Sequence, residues 1–277
     1  MYKRQARNST PAILSAVGFS GHGKTVYLAA LLHAMERDLT AAWPKFYRQG
    51  LDMESVRTVQ QNLTLLHQGT LPESTRRNFP RPSIHLLADI PSFKTRHLLM
   101  YDPPGEAFET DLGIEKYAHF VQRAKVVLFL VSLPDLPAPQ GSELHRLLET
   151  YVLGMTRMKA KTRNQHLVVV YTKADRLKSE LTRCPTTLEH LSTPTADALR
   201  DIKRYQERLK AISTELAQFT ENVLVARSFV RLVQKEFHGV NYCAVSALGS
   251  PPDDGHLTTA MEPRGVVDPL IWVLDKS

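Results

Sequence analysis

Residues 18–25 read GFSGHGKT, which fits the pattern GxxxxGK[ST] at every fixed position. That pattern has a mechanism. Backbone N–H groups of the loop turn inward toward phosphate oxygens, Lys24 reaches the β- and γ-phosphates, and the Thr25 hydroxyl ligates magnesium. Gly18 and Gly23 permit backbone angles and close approaches that a side chain would block, and the helix that follows offers unpaired N–H groups at the positive end of its dipole. Gly21 and His22 stand between them in the same cradle. Such a match arises by chance on the order of once in a hundred chains of this size, so the surrounding sequence has to decide.

Upstream, AILSAV (Ala12–Val17) reads as a strand that ends directly at Gly18. Downstream, TVYLAALLHAMERDL is rich in helix formers and places Leu28, Leu31, Leu32 and Met35 on one face. Strand, glycine loop and helix are the setting a phosphate loop requires. Farther along, residues 52–67 read as a helix and residues 69–82 (GTLPESTRRNFPRP) as a loop. Strands are expected at 83–87, 97–101 and 125–131, then one ending at Tyr171 and one running through Val245, with a closing helix at 269–275. This alternation predicts an α/β fold with a mostly parallel central sheet flanked by helices.

Composition excludes several other classes. With 277 residues, 43% hydrophobic and 23% charged, the chain reads as one soluble globular domain over residues 1–277. The net charge of +7 favours polyanions, yet no basic run is dense enough to support nucleic acid as more than a possible partner. The richest run, RMKAKTR at 157–163, looks like the end of a helix, where cations suit the dipole. Cys184 and Cys243 alone make neither a zinc site nor a disulfide framework, which suggests a reducing cytoplasm. There is no HExxH, the nucleophile-elbow pattern GxSxG fails at His22, and no stretch reaches the length of a transmembrane helix.

Three further motifs follow in order. LLMYDPPGE puts Asp102 at a strand end, where a carboxylate can hold magnesium through water, and Gly105 where its N–H can meet a γ-phosphate. VVVYTKAD puts Thr172, Lys173 and Asp175 after a buried strand. A carboxylate at Asp175 can accept the N1 and N2 hydrogens of guanine, which adenine lacks, and the Lys173 stem can lie along the base. AVSALG puts Ser246, Ala247 and Leu248 after the last strand, with an N–H of Ala247 in reach of the guanine O6.

GFSGHGKT, DPPGE, TKAD and SAL, in that order, resemble the guanine-nucleotide motifs of the translation-factor and Ras-like GTPases, a P-loop NTPase class. YLAALLHAM, LPEST, DPPGE and DPLIWVLD together resemble the bacterial double-GTPase families of conflict and signalling systems. The resemblance implies binding of GTP and GDP with magnesium (Mg2+), hydrolysis of GTP, and a nucleotide-dependent switch. Lys24 then stabilises the transferring phosphoryl group, Thr25 and Asp102 hold the metal, and Thr75 of LPEST completes its shell, with Thr70 in reserve. Arg76 and Arg77 are candidates for an arginine finger.

The chain departs from the class twice. Thr172 stands where Asn is common, keeping a hydrogen-bonding side chain. Glu106 stands where the class has a water-orienting Gln or His, and a carboxylate beside a polyphosphate predicts slow hydrolysis. A non-hydrolysing, guanine-nucleotide-dependent interaction module is therefore the alternative; TKAD opposes an ATPase.

Residues 176–240 read as a helical insertion. Ile202, Tyr205, Leu209, Ile212, Leu216 and Phe219 recur at intervals of three and four, the seam of a helix, and a second helix at about 221–237 is its expected antiparallel mate. Such a hairpin is a candidate surface for a protein partner, a second GTPase among the candidates.

Overall fold

The computed structural model describes residues 11–72 and 81–277. Seven strands form one sheet in the order β2-β3-β4-β1-β5-β6-β7, where β1 is Ala12–Val17, β2 Tyr47–Gly50, β3 Ser83–Ala88, β4 Arg96–Tyr101, β5 Val126–Val131, β6 His166–Tyr171 and β7 Gly239–Ala244. β4, β1, β5, β6 and β7 run parallel, while β2 and β3 are antiparallel to their neighbours. The parallel strands are covered on both faces, which explains why β5 is a continuous apolar run, VVLFLV, buried at all six positions.

On one face lie α1 (Lys24–Ala34) and the closing helix α9 (Asp268–Lys276). The other face carries α3 (Asp111–Tyr117), α4 (Gln140–Arg157) and α8 (Arg227–Glu236), which pack on one another. α1 is buried well beyond the single apolar face its sequence suggests, because α2 (Met53–His67) packs over it. It runs on through a π-helical turn, Met35–Leu39, into Thr40–Ala42.

Between β6 and β7 come α5 (Pro185–Ser192), α6 (Thr195–Leu199), α7 (Ile202–Asn222) and then α8. The seam predicted on α7 is buried throughout, but its expected mate is not where it packs. α7 lies along the outer edge of β7, where Ser213 Oγ accepts the Tyr242 backbone N–H (3.0 Å) and the Asn241 amide (3.2 Å). α8 instead packs on α4, with Phe229 against Phe129 of β5. Edge strands leave backbone groups unpaired, and covering that edge outweighs forming a free-standing hairpin. Glu215 of α7 also accepts the Thr186 and Thr187 N–H groups (3.0 and 2.8 Å), supplying the first turn of α5 with a cap its own sequence lacks.

A buried charge cluster ties these helices to α9. His190 Nε2 lies 3.0 Å from Asp268 Oδ2, and the Tyr205 hydroxyl donates to Asp268 Oδ1. Burial alone would lower the His190 pKa, but the charge and hydrogen bond of Asp268 raise it above 6.5, with Arg208 opposing and Glu189 assisting. A raised histidine pKa gives stability that is complete below the unfolded value and lost as pH rises through the folded one. His22 and His85, lowered to about 4, act below pH 6.5, and Lys24, at about 8, acts above. The unfolding free energy should therefore fall with pH between about 6.5 and 8. Asp268→Asn should remove that slope and cost about 3 kcal/mol at pH 6; urea titrations across this range measure both.

Candidate nucleotide site

The glycine loop closes tightly on the sheet. A Cβ at Gly18 would stand 2.5 Å from the Leu130 carbonyl oxygen, so only glycine fits there. Gly21 and Gly23 have φ of 78° and 77°, the left-handed region that favours glycine. Gly23 opens α1 with no side-chain cap and no acidic residue in the first turn, leaving the helix N-terminus to an external anion. Lys24 is 7% exposed and donates to the carbonyls of Gly18 and Phe19, both at 2.9 Å. Burial pushes its pKa down to about 8, although Asp102, Glu106 and Glu109 pull it upward. Its ammonium bonds to neutral carbonyls and lies at the start of a helix with no side-chain cap.

His22, expected to help hold the nucleotide, turns its ring away. Its Nδ1 is 3.1 Å from the Leu130 carbonyl oxygen, and burial lowers its pKa to about 4. Neutral imidazole facing a carbonyl must donate from Nδ1, so this side chain pins the loop to β5. The His22 carbonyl in turn accepts the Thr172 hydroxyl (3.1 Å). Thr172 thus links the strand end that precedes TKAD to the phosphate loop.

At the other end of the loop, the Thr25 hydroxyl donates to Asp102 Oδ2 at 2.8 Å, bringing together the two residues expected around a metal. Gly105 begins a 3-10 turn, and a Cβ there would meet the Ser20 nitrogen at 2.3 Å. Glu106 lies on the cleft wall. An oxygen pair beside an uncapped helix N-terminus and a buried lysine suits a hard divalent cation carrying phosphates, so the residues present fit a magnesium nucleotide. Thr75, Arg76 and Arg77 lie outside the described residues. Thr70, the reserve threonine, is not on the cleft wall; its backbone forms a bridge with His256.

The base end is built by two strand ends bonded together: Val245 N–H donates to Tyr171 O (2.8 Å) and Ala174 N–H to Val245 O (3.0 Å). Ser246 Oγ donates to Asp175 Oδ1 at 2.5 Å and itself accepts the Gly249 N–H (3.0 Å). Ser246 therefore orients Asp175 and does not face the cleft. Lys173 sits at φ 55°, and its ammonium is held by Asp135, which also takes Ser132 Oγ and Arg176 Nη1 (3.2 Å). Burial alone would raise the Asp135 pKa, but the hydrogen bonds and charges around it hold it below the usual carboxylate range. Asp135 was not foreseen. Its only signal is its place in SLPD, directly after β5.

One cleft of about 580 Å³ joins the two ends. Lys24, Thr25, Gly105, Glu106, Thr172, Lys173, Asp175, Ala247 and Leu248 line it, together with Gly21 and Gly23. Gly18, His22, Asp102 and Ser246 stand behind that wall as supports, Asp102 beside a smaller cavity it shares with Thr25. Tyr27, Leu71, Pro72, Arg176, Pro251 and Pro252 also line the cleft and escaped the sequence reading. The loop after β7 reaches across to the segment after α2: Leu257 N–H donates to Gly69 O (2.7 Å) and Leu71 N–H to Gly255 O (3.4 Å).

A phosphate loop, a DxxG turn and a TKAD turn opening on one cleft define a P-loop GTPase. The sequence model of the Double-GTPase 2 family matches residues 12–237, and this chain belongs to that family. No curated protein matches it. Among solved structures, it is similar to the signal recognition particle receptor SRb-GTP/SRX complex from Chaetomium thermophilum, at 15% identity, with 89% of this chain and 95% of that chain covered and a TM-score of 0.39. The Ski7 GTPase-like domain of S. cerevisiae, bound to GTP, shares 14% identity over 99% of this chain and 51% of that chain, with a TM-score of 0.37. No helix among the described residues is long and apolar enough to cross a membrane.

Proposed function

We propose that this chain binds GTP with magnesium, hydrolyses it to GDP and phosphate, and acts as a nucleotide-dependent switch. One observation carries the reading: residues of all four motifs line a single cleft, with Lys24 and Thr25 at one end and Asp175 at the other. Magnesium, when bound, neutralises charge on the β- and γ-phosphate oxygens. The chain's own residues do the rest by position and charge. Thr25 and Asp102 hold the metal, the Lys24 ammonium faces the phosphates, and the Gly105 N–H is offered to the γ-phosphate. The Asp175 carboxylate selects guanine while the Lys173 stem, anchored by Asp135, lies along the base. Thr75 is kept as the metal's switch ligand. A bound polyphosphate gives the Lys24 ammonium a direct anionic partner in place of neutral carbonyls, and catalysis is electrostatic positioning of an attacking water.

Phosphate release measured with GTP and with ATP tests this. Release from GTP alone is expected; equal release from both nucleotides would refute base selection. Tight GTP binding without release would select the alternative, a non-hydrolysing interaction module. Glu106 bears on that choice, since its charge faces Lys24 from the cleft wall. Glu106→Gln should leave turnover unchanged or raise it by up to about tenfold, by easing repulsion at the γ-phosphate. A severe loss with binding intact would make Glu106 a direct catalytic group.

A protein partner, a second GTPase among the candidates, belongs to the same reading. The insertion over residues 176–240 supplies exposed cations on α7, Lys203, Arg204 and Lys210, to an acidic surface. Arg208 is engaged with Glu189 at 2.6 Å.

A further inference from the structure

The end of the sheet opposite the nucleotide cleft carries an unbalanced cluster of charge. Arg123 closes a 3-10 turn and Lys125 immediately precedes β5; Lys159, Lys161 and Arg163 occupy the connection from α4 to β6. All five are exposed, and among the described residues none has an acidic partner. The acidic side chain that reaches this connection is Glu236, 3.3 Å from Thr162 Oγ1 and 3.9 Å from Lys235. Asp275, near His166, pairs with Lys276 at 2.8 Å, so the five cations remain in excess.

The two cationic segments are fastened together. Gln165, 2% exposed, donates to the carbonyls of Val121 and Ala124 (2.6 and 3.0 Å) and accepts the Tyr151 hydroxyl (2.8 Å). His166 N–H donates to Lys125 O at 2.8 Å, and Ala160 N–H closes the turn onto Met155 O at 2.9 Å. Lys159 holds φ 55° in that turn. The charges thus sit on a buried hydrogen-bonded base.

An exposed leucine lies on the helix that leads into the cationic connection. Leu153, 51% exposed, stands one helical turn before Arg157 near the end of α4, just ahead of Lys159. Phosphate of nucleic acid gains nothing from an exposed leucine. Cations beside an exposed apolar side chain match a bilayer, whose headgroups take the charge and whose acyl boundary takes the leucine. We infer that this pole docks the protein peripherally on an anionic lipid surface. The strands separate it from the cleft by about 20 Å, so docking leaves the nucleotide accessible.

The test is co-sedimentation of the full chain with phosphatidylcholine vesicles, with and without phosphatidylglycerol, at low and high salt. Binding is expected only with phosphatidylglycerol, weakening as salt rises. Lys159→Glu, Lys161→Glu and Arg163→Glu together should weaken it on the order of 100-fold, and Leu153→Ser by roughly tenfold. GTP affinity, measured on the same preparations, should not change. The control pair Lys203→Glu and Lys210→Glu should bind vesicles normally; an equal loss there would reduce the effect to net charge and overturn the assignment. Absence of binding to anionic vesicles would also overturn it. So would tighter binding of an oligonucleotide that the same triple substitution abolishes, which would assign the pole to nucleic acid.

Discussion

Lys24→Ala is expected to weaken nucleotide binding by roughly 100- to 1,000-fold, the loss that follows removal of one partner of a desolvated, hydrogen-bonded charge pair. The same substitution should leave the free protein no less stable at pH 7. Lys24 is 7% exposed, and its nearest partners are two neutral carbonyls. Burial therefore holds its pKa at about 8, below the ordinary 10.5. A lysine whose folded pKa is depressed opposes folding while charged, and native stability rises with pH between about 8 and 10.5 as the unfolded chain retains more protons. The variant should lose that rise. Nucleotide binding in the parent should weaken above pH 8, where recharging the amine on binding takes up a proton from solvent, and the variant should show no such dependence. Calorimetric titration with GTP on both sides of pH 8, alongside urea unfolding, separates a lost ligand contact from a damaged fold. Unchanged affinity in a folded variant would remove GFSGHGKT from the site.

The parallel strands were legible because burial on both faces writes them as unbroken apolar runs, as in AILSAV and VVLFLV. β2 was not. YRQG is a four-residue polar edge strand with alternating exposure, and nothing in its composition separates it from a loop. The α7 seam was visible from spacing alone, whereas what covers it was not. Periodicity says that a face is buried; the unsatisfied N–H of Tyr242, which Ser213 meets, says by what.

Within the cleft, residues whose backbone or charge does the work were legible from their spacing in motifs. Their supports were scattered. Asp135 precedes Lys173 by 38 residues, and His190 meets Asp268 across 78. Such pairs exist only once the strands are in register, and no local pattern announces them. The residues at 73–80, which include Thr75, fall outside the described structure, so the metal's switch ligand rests on the sequence resemblance.

Asp175→Asn should invert base preference, weakening GTP by roughly 100-fold through loss of a charge-assisted acceptor while strengthening xanthosine triphosphate. The geometry explains why the substitution should not simply disorder the site. Ser246 Oγ donates to Asp175 Oδ1 at 2.5 Å and is itself fixed by the Gly249 N–H. An asparagine can keep that bond through its own Oδ1, which leaves Nδ2 to present a donor where the carboxylate presented an acceptor. Guanine offers two hydrogens there, at N1 and N2, so the amide leaves one donor facing another. Xanthine carries an oxygen at position 2, which the new donor meets. Ser246→Ala supplies the companion measurement: it frees Asp175 to rotate without altering its charge, so GTP affinity should fall by about tenfold with the order of GTP over xanthosine triphosphate unchanged. Competition titrations with the two nucleotides and ATP read both variants. If Asp175→Asn still prefers GTP, guanine is recognised elsewhere in the cleft, and Ala247 with its neighbours becomes the place to look.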